Sequence, residues 1–531
     1  MCGIFSYIGN KYNNDQLIEY ANKIIHRGPD STNYKNVNNK IFMGFHRLAI
    51  NGLNPESDQP FHKDGIYLIC NGEIFNYKNL IEEFNLEKEY VSESDCEIII
   101  HLFIKFGIEK TCTLLDGEFA FIIYDSNNDI TYAARDQLGI RSFFIGFDDD
   151  KKEICLCSEL KGSPPLKNIS QFPPAHYWNS HDGLFIKFYD FEKNFVDHDE
   201  ETIIKNIRDL FTKAVEKRLM SDRKLACLLS GGLDSTTVTA IVAGKYEPYT
   251  LSTYSIGLKG SVDLEYAKIA SEYFKTKHTS IELSNEEFLD AIEKTIIQIE
   301  SYDTTSVRAS VGNYLVSLYI KEHSDDTVIF CGDVSDEIFA SYRGFYYAPD
   351  NMNLYIENVN MLKNIQYFDV LRSDKSIAGA GLEARVPFSD KDFLSYCMKI
   401  DPKYKRFNKD RIEKYLFRKA FENILPSELA WRVKTAFSDG VSNAEKPWYQ
   451  IIKEYMDTKY SDEEYEIERL KYVHNMPYDK ESLYYRSIFE KNYPNCSHLI
   501  PYFWKQPFME ESDPSAWLAE KNISSNNLSG N

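Results

Sequence analysis

Two units of different class follow one another in this 531-residue chain: an N-terminal α+β unit of packed antiparallel sheets, then an α/β unit with a parallel sheet covered by helices. Three observations predict this. Up to about residue 190, short apolar runs rich in β-branched and aromatic residues recur between Asp, Asn and Gly. From about 200 to 450, strands alternate with long helical segments. The polar connection FEKNFVDHDEETII (191–204) separates the two textures.

The first element is an amphipathic helix carrying Leu17, Ile18, Ala21, Ile24 and Ile25, stopped by Gly28-Pro29. Strands follow at IYLICNG (66–72), EFAFIIYD (118–125), DITYAARD (129–136), RSFFIGFD (141–148) and EICLCSE (153–159). In the second unit KLACLL (224–229) leads into DSTTVTAIVAGKY, TLSTYSIGL (250–258) into DLEYAKIASEYFK, and DTVIFCG (326–332) into SDEIFASY. The last stretch, 451–531, is charged and Tyr-rich, a helical extension with a frayed tail, SSNNLSGN. No internal repeat is visible.

Composition bounds the function. The 43% apolar and 27% charged fractions are those of a globular protein. With 61 Lys and Arg against 81 Asp and Glu the net charge is −20, so there is no basic footprint for nucleic acid or an anionic membrane. No apolar run approaches ~20 residues. MCGIFSYIGNKYNN lacks a basic segment ahead of a long apolar core, which argues against secretion. The 10 cysteines are scattered, with no C-x-x-C pair, as expected of a reduced, cytoplasmic protein.

Chemistry-bearing residues cluster at two strand-to-helix junctions of the second unit. After LACLL comes Ser230-Gly231-Gly232-Leu233-Asp234-Ser235. Glycines let backbone N–H groups approach an anion, serines add hydroxyl donors, and the helix start adds partial positive charge. This is a phosphate cradle without the P-loop lysine, and Asp234 suggests Mg²⁺ beside the phosphates. The second junction, Cys331-Gly332-Asp333-Val334-Ser335-Asp336-Glu337, places three carboxylates at a strand's C-terminal end, where open α/β sheets bind ligands. Read alone, each junction is also an ordinary capped helix start.

In the first unit Cys2 draws interest because removal of Met1 would leave it N-terminal, its thiol beside its own α-amine as base. Asn71-Gly72 offers an amide and a backbone N–H as an oxyanion hole. Arg47 suits a carboxylate, and Glu73 and Asp95 an ammonium, which together match a free amino acid. Singly, each is as well read as a surface ion-pair residue or a turn.

Taken together, MCGIF, HRGPD (26–30), NGEIFN (71–76) and SESDCE (92–97) resemble the N-terminal-nucleophile glutamine amidotransferases. That resemblance implies an αββα sandwich, and Cys2, Arg47, Leu48, Ile50, Asn71, Gly72, Glu73 and Asp95 match its glutaminase residues. Asn51 and Glu93 depart from the usual pattern. LLSGGLDS, ESYDTTSVRAS (300–310), CGDVSDEIFASY, GLEARVPFSD (381–390) and WRVKTAFSDG (431–440) resemble the synthetase domain of glutamine-hydrolysing asparagine synthetases, in that family's order. The resemblance implies glutaminase, synthetase and C-terminal regions at 2–190, 200–450 and 451–531. It also implies ATP cleavage between the α and β phosphates to form β-aspartyl-AMP. Leu228 and Ile256 would then touch the adenosine, Ser230, Gly231, Gly232, Asp234 and Ser235 the pyrophosphate, and Cys331 and Gly332 the nucleotide. Asp234 and Asp336 would hold Mg²⁺, and Lys434 would stabilise phosphate charge. Where this chain has Asp333-Val334 the family usually has Glu-Gly, and Asp333 is assigned the role of that catalytic glutamate.

The small-molecule partners expected are glutamine, aspartate and ATP. A homodimer is compatible with the resemblance, although the sequence does not give the oligomeric state. The alternative is a related glutamine-dependent amide-forming synthetase acting on a different carboxylate.

Overall fold

The computed structural model describes residues 1–433, 441–442 and 446–509. Two six-stranded antiparallel sheets come first. One runs Asn168–Gln171, Phe144–Phe147, Ile154–Cys157, Gly3–Ile8, Ile41–Arg47, Ser31–Val37; the other runs Phe185–Lys187, His176–Asn179, Ile130–Arg135, Gly117–Asp125, Ile66–Ile74, Phe61–Lys63. Gly117–Asp125 explains why these strands read as unbroken apolar runs. Phe119, Phe121 and Ile123 pack toward an outer helix, Ile98–Leu114, whereas Ala120, Ile122 and Tyr124 join Ile4, Met43, Phe45 and Trp178 between the sheets. Both faces of the strand are dry, so the usual apolar–polar alternation disappears. On the far side Phe5, Tyr7 and Phe42 meet Leu17 and Ala21 of the helix Asn14–Asn22. The layers are therefore helix, sheet, sheet, helix.

Two local expectations change, at the first helix and at SDEIFASY. The first helix ends at Asn22, and Ile25–Arg27 is a separate 3₁₀ turn, because the apolar periodicity continues past the hydrogen-bonded ladder. Asn71-Gly72 lies inside the strand Ile66–Ile74, with Gly72 opposite Phe119; a Cβ on Gly72 would stand 2.3 Å from the Glu118 carbonyl. SDEIFASY gives a single helical turn, Ser335–Ile338.

The helix Glu200–Lys217 links the units. Asp199 caps it by accepting the Thr202 N–H, and Ile203, Ile207, Phe211, Ala214 and Val215 form its buried stripe. Phe211 packs among Phe388, Phe393, Phe417 and Phe421. The second unit is a parallel sheet in the order Lys277–Leu283, Ser252–Leu258, Lys224–Leu228, Asp326–Phe330, Glu383–Arg385, flanked by helices including Val262–Phe274, Asn285–Ile299 and Thr304–His323. Beyond it, Trp448–Lys459, Asp462–Arg469 and Lys480–Asn492 are helical. Among the described residues no helix is long and apolar enough to cross a membrane.

Buried ion pairs join the two units. Arg218 meets Glu118 at 2.9 Å and Asp390 at 2.9 Å, while Arg141 meets Glu118 at 3.1 Å. Arg27 meets Glu159 of its own unit at 2.6 Å and Asp374 of the other at 2.8 Å. Removing one partner from such a set strands the others without water. Glu118→Ala should cost about 3–5 kcal/mol, read as a lower denaturation midpoint; a loss below about 1 kcal/mol would mean that Arg141 and Arg218 are satisfied without Glu118.

Candidate active sites

The strand Gly3–Ile8 begins one residue after Cys2, and this fixes the thiol at the sandwich edge. The Cys2 N–H donates to Asn71 Oδ1 at 2.9 Å, and its Sγ–H points at the Leu48 carbonyl at 3.7 Å. The Asn71 Nδ2 is buried with no partner among the described residues. A buried amide donor left open beside a thiol is what a developing oxyanion needs. Burial pushes the Cys2 thiol up to about 11, against the pull of the nearby N-terminal ammonium. Met1 fills the space beside it: its ammonium pairs with Glu383 Oε2 at 3.1 Å, both groups fully buried. Burial works against ionisation of Glu383, but that ammonium, Arg385 and Arg141 hold it down to about 2.

Glu73 and Asp95 share one pole of the same pocket. Burial first, and then the Asp95 charge, push Glu73 well above the usual carboxylate range; burial lifts Asp95 to about 6. Arg385, from the other unit, reaches Glu73 at 3.3 Å. Arg47 meets Asp58 at 2.6 Å. Leu48 and Ile50 are buried. Glu93 stands over this loop and accepts from Asn54 Nδ2 at 3.2 Å.

The second site is a cleft of about 230 Å³ at the C-terminal ends of Lys224–Leu228 and Asp326–Phe330. Leu228, Ser230, Gly232, Asp234, Ser235 and Ile256 line it from one side; Cys331, Gly332, Asp333 and Asp336 line it from the other. Gly231 sits behind the lining with φ +71°, where a Cβ would meet Tyr266 at 2.4 Å. Ser230 and Ser235 hold each other at 3.1 Å across the turn. The Gly332 backbone presses on the helix start, where a Cβ would lie 2.9 Å from the Ser235 nitrogen.

Lys434 lies outside the described residues. Another lysine, unmarked by any sequence pattern, takes a central place: Lys414 Nζ lies 2.6 Å from Asp234 and 2.7 Å from Asp336. Burial alone would depress its pKa, yet the two carboxylates raise it above the ordinary lysine value. No cluster of three or more His, Cys, Asp or Glu fit for a metal occurs among the described residues. Asp234 and Asp336 nevertheless converge on one cation position. Arg372, likewise unsignalled, grips Asp333 at 2.7 Å and Asp369 at 3.3 Å. Both cations come from segments far along the chain, where no local motif marks them.

An αββα sandwich with a cysteine at position 2, fused to a parallel-sheet unit with a Ser- and Gly-lined cleft, has the architecture of a two-site class, amidotransferase plus synthetase. Residues 1–217 match the glutamine amidotransferase domain family, and residues 206–360 and 353–519 match the asparagine synthase family. Proteins named glutamine-hydrolysing asparagine synthetase from Gallus gallus, Rattus norvegicus and Homo sapiens are 40%, 38% and 37% identical, each alignment covering 97% of this chain and 98% of theirs. The chain belongs to the glutamine-hydrolysing asparagine synthetase family.

Val334 holds φ 77°, ψ −15°, left-handed backbone that a β-branched residue enters at a cost, and its side chain is buried. At an ordinary position Gly is about 0.5–1 kcal/mol worse than Ala. Here the order should invert: Val334→Gly should be more stable than Val334→Ala by about 1 kcal/mol in chemical denaturation, because only Gly releases the strain. The usual order would show that Val334 is unstrained.

Proposed function

We propose that this chain makes asparagine from aspartate and ATP with glutamine as nitrogen donor, releasing glutamate, AMP and pyrophosphate. The observation that carries the reading is a thiol at position 2 beside an unpartnered buried amide, in the same chain as a cleft lined by a phosphate cradle. The family's sequence identity over nearly the whole chain supports the choice of aspartate and glutamine.

Loss of Met1 turns the Cys2 nitrogen into a free amine that keeps Asn71 as its acceptor. That amine takes the thiol proton as the sulfur attacks the glutamine carboxamide. The Asn71 amide, with the Gly72 backbone, faces the oxyanion, and ammonia leaves with the proton. Water then frees glutamate from the thioester. Arg47 holds the glutamine carboxylate, and Glu73 and Asp95 its ammonium. The space of Met1, walled by Glu383 and Arg385, gives ammonia a polar way toward the second unit.

In the cleft the aspartate β-carboxylate attacks the α-phosphorus of ATP and pyrophosphate departs onto the Ser230–Ser235 turn. Ammonia then displaces AMP from the acyl carbon. Leu228 and Ile256 flank the base, and Cys331 and Gly332 border the nucleotide. Asp333, oriented by Arg372, is placed to take a proton from the attacking ammonia. Asp234 and Asp336 fit a Mg²⁺ ion at the position where Lys414 now joins them. The ion would neutralise charge on the leaving pyrophosphate. Lys434 is assigned to phosphate charge by its motif alone.

Two variants separate the sites. Cys2→Ala should abolish glutamine-dependent synthesis and leave ammonia-dependent synthesis in place, and the active enzyme's intact mass should lack Met1. Asp336→Asn should lower pyrophosphate release by ~10² or more while sparing glutamine hydrolysis. A fall under about tenfold would reduce Asp336 to a helix cap. For the departure from Glu-Gly, Asp333→Ala should eliminate asparagine formation from both nitrogen sources, and Asp333→Glu should not raise it. Full activity in Asp333→Ala removes the residue from the mechanism.

A further inference from the structure

The pocket that would hold glutamine's ammonium is already filled by a side chain of the protein. Asn51 is 9% exposed, and Glu73 and Asp95 are each 3% exposed. The Asn51 Nδ2 donates to Glu73 Oε2 and lies 3.3 Å from Asp95 Oδ1. Its orientation follows from chemistry, since the amide nitrogen only donates and the oxygens it meets can accept. The other Asp95 oxygen is taken by the Ile74 N–H at 2.6 Å, so its free lone pairs face the position Asn51 fills. Arg385 reaches Glu73 at 3.3 Å.

The carboxylate pole is filled in the same way. Arg47 spends its guanidinium on Asp58 at 2.6 Å, on the Asn54 carbonyl at 2.9 Å and on the Gly52 carbonyl. Asn51, Gly52, Asn54 and Asp58 belong to one loop, in which Gly52 has φ +65°. That loop is anchored to the second unit: the Gly52 N–H donates to Asp222 Oδ2 at 2.8 Å, and the Asp222 N–H to the Ile50 carbonyl at 2.9 Å.

We propose that Asn51 is an internal surrogate for the α-ammonium of glutamine, which the amino acid must displace from Glu73 and Asp95 in order to bind. The inference rests on the glutamine pocket of the preceding section. A carboxamide carries no net charge, so it satisfies two buried carboxylates without matching an ammonium for them. Glutamine therefore wins the position, at the cost of breaking two hydrogen bonds that a non-donor at 51 would never have formed. Asn51 is thus a specificity-determining residue that sets the glutamine concentration at which the first site begins to work.

The test is glutamine binding by calorimetry to Cys2→Ala and to Cys2→Ala/Asn51→Val, where hydrolysis cannot intervene. The double variant should bind about tenfold more tightly, the order of one hydrogen bond to a charged group. On intact Cys2, Asn51→Val should lower the KM for glutamine by the same factor, with kcat changed far less. Asn51→Ser, too short to reach both carboxylates, should move KM the same way and serves if the valine variant misfolds. An unchanged KM would make Asn51 a bystander, and a raised KM would make it a ligand of glutamine; either overturns the proposal. Failure of the pocket itself looks different: the unmodified enzyme would then hydrolyse no glutamine at all.

Discussion

Charges buried between the two units must find their countercharges inside the protein, and much of the architecture answers to that constraint. Glu118, on the strand Gly117–Asp125, meets Arg141 of its own unit and Arg218 of the other. Arg27 reaches Asp374 across the boundary, and Arg385 reaches Glu73. Each of these groups alone would cost several kcal/mol to dehydrate. Paired, they hold the sandwich and the parallel sheet in one register, because displacing either unit would leave several ions unmatched at once. A purely apolar boundary would tolerate sliding; a directional, fully desolvated one does not.

The same boundary places the two sites. Glu383 and Arg385 form the short edge strand of the parallel sheet, yet their side chains finish the environment of Cys2 and Glu73 in the sandwich. Asp222 stands just ahead of the strand Lys224–Leu228, which runs into the Ser230–Ser235 turn, while its carboxylate accepts from Gly52 in the loop that holds Asn51. The sandwich site is therefore not the property of one unit alone.

What could be read from the sequence depended on whether the signal was local. The cradle at Ser230–Ser235 and the carboxylates at 333–337 sit on continuous strand-to-helix segments, where spacing alone predicts a common cleft. Strands such as Gly117–Asp125 were legible because both faces are apolar. Strands Ser31–Val37 and Lys277–Leu283 carry exposed polar residues and gave no such signal. Asn51 was marked by its departure from the family's usual pattern, whereas Lys414 and Arg372 stayed hidden for another reason. Each acts by meeting a carboxylate brought from a distant segment, and nothing in its own neighbourhood encodes that meeting. Asn71 was legible as a candidate oxyanion donor because it closes an apolar strand run, although an Asn-Gly pair read singly also suits a turn.

The two sites also share a physical device. In each, two carboxylates converge on one position, and such a pair with nothing between would repel itself. In the cleft, Lys414 stands between Asp234 and Asp336 as a full positive charge. In the sandwich, Asn51 stands between Glu73 and Asp95 as a neutral donor. The difference in charge has a consequence. Under the proposed function each placeholder carries one unit of charge less than the ligand it would yield to. Lysine offsets one of the two carboxylate charges in the cleft, so a divalent ion would bring more charge to the same point. Asparagine offsets none in the sandwich, so a single ammonium would be enough to replace it.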